Sequence, residues 1–138
     1  MIVIDASSLT KYLLKEPFWE EVERYLLEED VYSVDHVLKE ALNAVWRNCV
    51  LLKLFDEDTA LEKLKVLMIL LREGVIHIEP ELQYLEKALH IALKHRITVY
   101  DALYIVQALE LGATLLTSDK GQGEVARKEG VKHVLLII

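Results

Sequence analysis

Short apolar runs alternate with longer amphipathic stretches along the whole chain. The apolar runs cover residues 1–4, 31–34, 75–78, 113–117 and 133–137. They are short and rich in Val, Ile and Leu, which is typical of buried strands. Helical periodicity fills the intervals and predicts helices over residues 7–15, 18–29, 36–53, 57–73, 81–95, 99–111 and 121–129. Strands that alternate with helices in this way predict βαβ units and a parallel sheet.

Glycine and proline mark the ends of these elements. Gly74, Gly112 and Gly130 each follow a predicted helix, at the position where glycine favours the left-handed turn that ends a helix. Pro17 and Pro80 stand where predicted helices begin. No linker or repeat interrupts the pattern. We therefore predict an α/β fold, a three-layer α/β/α sandwich with a mainly parallel five-stranded sheet, in one domain over residues 1–138.

Composition limits the expected cellular setting. Although 53% of the residues are hydrophobic, no uninterrupted apolar stretch approaches the ~20 residues of a membrane span. No basic segment precedes an apolar one at the N-terminus, so we expect neither a signal peptide nor a membrane partner. The single cysteine, Cys49, is expected to be a small buried hydrophobe. Such cysteine usage fits a reducing cytoplasm.

The net charge narrows the classes of function. A formal charge of −7 argues against a protein that coats nucleic acid, whose domain is usually basic. It leaves a nuclease open, because acidic residues can be concentrated at a metal site. The five histidines show no metal-ligand spacing, and no Ser-His-Asp or Cys-His arrangement supplies a nucleophile.

Four acidic residues are the candidates for that metal site. Asp5 and Asp119 follow apolar runs, whereas Glu40 and Asp101 lie in predicted helices. In an open parallel sheet, ligands bind outside the carboxyl ends of the strands. Carboxylates gathered there would repel one another, and a hard divalent cation such as Mg²⁺ relieves that repulsion.

Each helical acid also has a simpler interpretation. Glu40 shares a polar stripe with Asn43 and Arg47, and such stripes are often only solvated surface. Asn43 could orient the carboxylate or bind a metal-held water, and Arg47 could meet a phosphate. Asp101 could be a first-turn acid that favours the helix dipole. Its apolar neighbours predict partial burial, which requires a metal or a basic partner.

The two acids that follow strands also have a simpler interpretation, in which each only caps the helix that follows it. Asp119 stands at a strand-to-helix turn, where Asp is a common N-cap. Asp5 has the same alternative, although Ser7 and Ser8 are available to cap the helix that follows it. Thr117 and Ser7 could add hydroxyls to a phosphate or metal–water network.

Four segments together resemble one known family. They are residues 2–9 (IVIDASSL), 37–45 (VLKEALNAV), 98–104 (TVYDALY) and 115–120 (LLTSDK). In this order and spacing they resemble the PIN-domain family, and most specifically the toxins of VapBC-type toxin–antitoxin pairs. One departure is that Gly121, Gln122 and Gly123 follow Asp119, where relatives often place an aromatic residue.

The resemblance implies a PIN-like fold and a metal-dependent endoribonuclease in the cytoplasm. It assigns catalysis and the binding of one or two Mg²⁺ or Mn²⁺ ions to Asp5, Glu40, Asp101 and Asp119. We expect Asp5 to be the central ligand because it follows a rigid strand. Supporting roles fall to Ser7, Asn43 and Thr117. Residues that could contact the RNA backbone are Lys11, Lys15, Lys39, Arg47 and Lys120.

The resemblance also implies two protein partners, a second copy of the chain and an antitoxin whose extended segment covers the acidic pocket. Apolar residues in the predicted helices 7–15, 18–29 and 57–73 exceed what one sheet-covering face would hide. A hydrophobic interface is one explanation of that excess, and a well-packed core is the other.

The sequence leaves other functions on a similar fold open. A non-catalytic binding module of the PIN fold would keep the same acids. A receiver-like Mg²⁺-binding domain needs a phosphoacceptor Asp after a central strand, but the run at 75–78 ends in Glu79 and Pro80. A haloacid-dehalogenase-type phosphatase needs a second Asp two positions after Asp5, where Ser7 stands.

Overall fold

The computed structural model describes residues 1–138 and contains one five-stranded sheet. The strands are β1 (Ile2–Ile4), β2 (Val31–Val34), β3 (Ile76–Glu79), β4 (Thr114–Thr117) and β5 (Val134–Leu136). All neighbouring strands are parallel, in the order β3-β2-β1-β4-β5. The prediction of five strands in a mainly parallel sheet is therefore confirmed.

Seven α-helices connect the strands. They are α1 (Ala6–Leu14), α2 (Trp19–Glu28), α3 (His36–Val50), α4 (Glu57–Arg72), α5 (Leu85–His95), α6 (Val99–Leu111) and α7 (Lys120–Glu129). Two predicted helices differ from the structure. The one expected to reach residue 53 ends at Val50, and Lys53 adopts a left-handed φ of 52°. The one expected from residue 81 opens as a 3₁₀ helix, Glu81–Tyr84.

The ends of α6 and α7 follow the predicted glycine pattern. Gly112 and Gly130 have φ values of 61° and 104° and donate their N–H groups to carbonyls of the last helical turn. At the end of α5, Arg96 adopts the same left-handed conformation with φ 56°. A side chain in that region is strained where glycine is not.

Helices cover both faces of the sheet. Right-handed crossovers place α1 to α4, which connect β1 to β2 and β2 to β3, on one face. The chain then returns across the sheet to β4, which puts α5, α6 and α7 on the other face. One cluster of 32 buried hydrophobic residues forms the core, with β1 at its centre. The three-layer sandwich is thus confirmed.

Two sequence expectations can be judged from this arrangement. The receiver-like alternative is wrong, because the strand order β3-β2-β1-β4-β5 differs from the 2-1-3-4-5 order of receiver sheets. In the first two helices Leu9, Leu13, Val22 and Leu26 are buried, whereas Leu27 is exposed. On α4 Leu67 and Leu70 are buried, whereas Leu61 and Met68 are exposed. No helix has both the length and the apolar composition needed to cross a bilayer.

Candidate active site

The site lies at β1, where successive strands of the chain switch from one side of the sheet to the other. From β1 the chain steps outward to β2 on one side, and β4 lies on the other side of β1. The carboxyl ends of β1 and β4 therefore open a crevice of the kind that binds ligands in parallel sheets. Asp5 directly follows β1, and Asp119 follows β4 after one residue.

Asp5 is buried and fixed by hydrogen bonds. Only 1% of the residue is exposed. Its Oδ1 accepts from the backbone N–H of Ser8 at 2.9 Å and from Ser7 Oγ at 2.7 Å, and its Oδ2 accepts from Thr117 Oγ1. Asp5 is thus itself the N-cap of α1. Asp5 rather than Ser7 or Ser8 caps this helix, and Ser8 supplies the capped N–H.

Hydroxyl groups join the ends of β1 and β4. Ser7 Oγ accepts from the N–H of Ser118 at 2.9 Å, and the hydroxyls of Ser8 and Ser118 lie 2.9 Å apart. Thr117 Oγ1 accepts from the N–H of Asp119 at 3.0 Å. These contacts link the two strand ends, so Asp5 and Asp119 have a rigid common base.

Glu40 reaches the crevice from α3. Its Oε1 accepts a hydrogen bond from the hydroxyl of Tyr104 at 2.8 Å. His36 Nε2 lies 3.3 Å from the same oxygen, without the geometry of a hydrogen bond. The imidazole of His36 stacks on Tyr100 with a centroid distance of 4.5 Å. Glu40 is therefore held by the helix that also carries Asp101.

Asp101 and Asp119 lie at the starts of two helices. Asp101 is in the first turn of α6, where its N–H donates to Thr98 Oγ1 at 3.1 Å. Asp119 is the N-cap of α7 and accepts from the N–H of Gln122 at 3.0 Å. The side chain of Gln122 donates to the carbonyl of Asp101 at 3.0 Å. Gln122 thus fastens the two helix starts together.

The structure explains why glycine and glutamine follow Asp119 where PIN-like sequences often have an aromatic residue. Gly123 lies where α7 packs against the sheet: a Cβ there would meet Val134 Cγ1 at 3.2 Å and Thr117 Cγ2 at 3.6 Å. Helix α7 starts normally, and Gln122 occupies the buried position beside Asp101. Glycine here allows a close approach of α7 to β4 and β5.

The carboxylates perturb one another electrostatically. Burial raises the pKa of Asp5 to about 7, although the hydrogen bonds from Thr117, Ser8 and Ser7 act in the opposite direction. Burial, followed by the negative charges of Asp119 and Glu40, raises the pKa of Asp101 to about 6. Asp101 in turn raises the pKa of Asp5 by a smaller amount. All four acids thus belong to one electrostatic cluster.

A cavity of about 380 Å³ lies over this cluster. Its lining residues are Ala6, Ser7, Thr10, Lys11, Glu16, Glu40, Ala44, Arg47, Asp101, Ser118, Asp119 and Gln122. Asp5 and Thr117 lie beneath it, joined to the lining residue Ser7. The structure therefore brings together the four acids, Ser7, Thr117 and Arg47 as the sequence predicts.

Four predicted residues lie elsewhere. They are Asn43, Lys15, Lys39 and Lys120, which are exposed and do not line the cavity. On α3 the lining positions are Glu40, Ala44 and Arg47, which lie four and then three residues apart along one side of the helix. Asn43 falls beside that line.

Sequence reasoning also missed residues of the site, among them Tyr104, Ser118 and Gln122. Tyr104 and Gln122 each stand three residues after a candidate acid, Asp101 and Asp119 respectively. That spacing puts a side chain one turn along the same helix and could have indicated both residues.

The donor set suits a hard divalent cation. Carboxylate and hydroxyl oxygens are the ligands that Mg²⁺ and Mn²⁺ prefer, and the cluster concentrates negative charge that a cation would neutralise. As the side chains are placed, no three His, Cys, Asp or Glu residues converge closely enough to enclose an ion. The chemistry of the donors fits a metal, and bridging water or side-chain rotation would complete its coordination.

The PIN domain family model matches residues 2–128 of the chain. The chain belongs to the PIN domain family. This confirms the resemblance stated from the four sequence segments. Among PIN relatives, ribonuclease VapC3 of Pyrobaculum aerophilum is 32% identical over 124 residues, which cover 89% of this chain and 92% of that protein.

Solved structures of PIN proteins share the fold. VapC20 of Mycobacterium tuberculosis, described as a toxin that cleaves the sarcin-ricin loop, superposes with a TM-score of 0.69 at 16% identity and covers 90% of this chain and 94% of that one. VapBC2 of Rickettsia felis, solved with a DNA fragment from its promoter, gives a TM-score of 0.61 at 16% identity, with 99% and 98% covered. These likenesses support the PIN-like fold.

Proposed function

We propose that this PIN protein is a metal-dependent endoribonuclease and the toxin of a type II toxin–antitoxin system. The observation that carries the proposal is the gathering of Asp5, Glu40, Asp101 and Asp119 around one crevice at the carboxyl ends of β1 and β4. The PIN family match and the relative named ribonuclease VapC3 support the reaction class. In this proposal the protein acts in the cytoplasm.

In this proposal the four carboxylates hold one or two Mg²⁺ or Mn²⁺ ions. Bound there, such an ion supplies a water of lowered pKa and stabilises charge on the scissile phosphate. Asp5 is the most rigid of the four acids, because both of its oxygens accept hydrogen bonds. Glu40 leaves Oε2 without a hydrogen bond and can turn it to the cavity. We expect products with a 5′-phosphate and a 3′-hydroxyl.

Basic side chains at the rim would bind the substrate backbone. Lys11 and Arg47 line the cavity, and neither forms an ion pair with an acid. Because the protein carries a net charge of −7, RNA approaches against a repulsive field, and local cations must offset it. We assign the phosphates that flank the scissile bond to these two side chains.

Apolar surface on α3 to α5 offers room for partners. A groove of about 460 Å³ between α3 and α4 has eight hydrophobic residues among nine, and half-buried Cys49 lies in it. A second patch is a row of exposed leucines on the 3₁₀ helix and α5, formed by Leu82, Leu85, Leu89 and Leu93. Exposed apolar patches of this kind commonly mark protein interfaces. We propose that they serve a homodimer contact and an antitoxin, and the likeness to VapBC2 supports the antitoxin.

The test is an RNA cleavage assay with Mg²⁺ or Mn²⁺, compared with Asp5→Asn. We expect the wild-type protein to cleave only with the metal, and the variant to lose roughly a hundredfold or more of activity, since even outer-sphere changes cost 10–100-fold. Equal cleavage by Asp5→Asn, or cleavage that survives chelation, would contradict the proposal.

A non-catalytic PIN-fold binding module is the second candidate. The observation that favours it is that no three carboxylates enclose an ion as they are placed. Calorimetric titration with Mn²⁺ separates the two candidates. The nuclease requires measurable binding that Asp5→Asn weakens, whereas no heat of binding at millimolar Mn²⁺ would favour the inert module.

A further inference from the structure

Tyr104 is a fully buried residue whose polar atom ends at the site. The residue is 1% exposed, and its hydroxyl donates to Glu40 Oε1 at 2.8 Å. A buried hydroxyl paired with a carboxylate makes a strong, directional hydrogen bond.

The contact leaves the two oxygens of Glu40 in different positions. Oε1 faces the protein, with the hydroxyl of Tyr104 at 2.8 Å and His36 Nε2 at 3.3 Å. Oε2 has no hydrogen-bond partner, and Glu40 lines the cavity. A glutamate on a helix surface ordinarily samples several rotamers. Here the ring of Tyr104, packed in the core, restricts that freedom.

We propose that Tyr104 is a positioning residue that fixes Glu40 so that its free oxygen faces the metal and substrate cavity. The inference rests on the proposed function. It adds Tyr104 as a residue that affects metal binding only through its contact with Glu40. Tyr104 lies one turn after Asp101 on α6, so one rigid helix presents Asp101 directly and orients Glu40 of α3 through the hydroxyl. Partners that orient a ligand in this way tune metal affinity strongly.

The chain offers a matched control. Tyr84 is also buried, at 4% exposure, and its hydroxyl donates to Glu79 Oε1 at 2.7 Å. Neither Tyr84 nor Glu79 lines the cavity. Tyr104→Phe and Tyr84→Phe therefore each remove one hydroxyl that a buried tyrosine donates to a half-buried glutamate, and each keeps the ring that fills the core. Glu79 Oε1 also accepts from Gln107 at 2.9 Å, so its orientation survives in the control. A purely structural role would make the two variants behave alike.

The first measurement needs no activity. In proton NMR of the full chain without metal, the slowly exchanging hydroxyl signal that disappears in Tyr104→Phe is assigned to Tyr104. We expect it to move upfield in Glu40→Gln, because a neutral acceptor makes a weaker bond, and to stay in place in Tyr84→Phe. A signal that is unchanged in Glu40→Gln would overturn the proposal, whether or not the protein cleaves RNA.

The second measurement is the Mn²⁺ affinity by calorimetry together with RNA cleavage. We expect Tyr104→Phe to weaken Mn²⁺ binding and lower kcat by about tenfold, with an unchanged KM for RNA, and Tyr84→Phe to match the wild type. Unchanged Mn²⁺ affinity in Tyr104→Phe, or an equal loss in both variants, would overturn the positioning role. If the wild type binds Mn²⁺ but cleaves no RNA, the nuclease proposal fails and the affinity comparison still decides the role of Tyr104. A wild type that binds no Mn²⁺ overturns both.

Discussion

Replacing the buried Asp5 by Asn is expected to stabilise the metal-free protein above neutral pH. Asp5 has a pKa of about 7 in the fold against 3.8 as the ordinary value. The folded state therefore binds this proton more tightly than the unfolded chain does. The stability that results is fully present below about pH 4 and is lost as the pH rises through about 7.

The magnitude follows from that difference in pKa. The pKa of Asp5 rises from 3.8 to about 7 on folding, and each pKa unit corresponds to about 1.4 kcal/mol. Ionisation of Asp5 therefore lowers the free energy of unfolding of the metal-free protein by up to about 4 kcal/mol. Asn carries no charge, its oxygen can still accept from Ser8, and its amide can donate to the hydroxyl of Thr117. We therefore expect Asp5→Asn to exceed the wild type by about 2–4 kcal/mol at pH 8 and to match it near pH 4.

The assay is urea unfolding of chelator-treated protein at pH 4, 6 and 8. The raised pKa of Asp101 also makes stability depend on pH, but Asp101 is present in both proteins. The difference in their free energies of unfolding therefore reports mainly on Asp5. Mn²⁺ at pH 8 should stabilise the wild type and leave the variant almost unchanged. The same pH dependence in both proteins, or a lower stability of Asp5→Asn at pH 8, would contradict this prediction.

Three further changes test other parts of the structure. Arg47→Ala should raise the KM for RNA several-fold and reduce the salt dependence of binding by about one counterion, whereas Lys39→Ala, outside the cavity, should do neither. Arg96→Gly should stabilise the protein by about 1 kcal/mol in urea unfolding, because φ is 56° there; a loss of stability would contradict this. Gly123→Val should cost about 1–3 kcal/mol, because even a Cβ lies 3.2 Å from Val134 Cγ1, and an unchanged midpoint would refute the close packing.

The strands and helices could be predicted because their signals are local. Apolar runs, glycine at helix ends and helical periodicity depend only on neighbouring residues, and they gave all five strands and seven helical regions. The break after Val50 and the 3₁₀ turn at Glu81–Tyr84 lack so clear a signal. Arg96 ends α5 without glycine, which only the backbone conformation shows.

The acids could be predicted for a related reason, whereas their surroundings could not. Asp5 and Asp119 follow strands, so the parallel sheet alone brings them to one edge. The sequence does not set how α3 rotates over the sheet, so Asn43 and Ala44 were equally good candidates for the cavity side. Helix α6 is buried on nearly every side, so its periodicity could not show that Tyr104 points to Glu40.

The most direct test of the central claim is a crystal soaked in Mn²⁺ and measured for anomalous density. We expect one or two peaks in the crevice, in contact with Asp5 and with Asp101 or Asp119, and their loss in Asp5→Asn. Peaks only on other faces of the molecule, or none in the crevice at millimolar Mn²⁺, would contradict the claim that these carboxylates form a metal site.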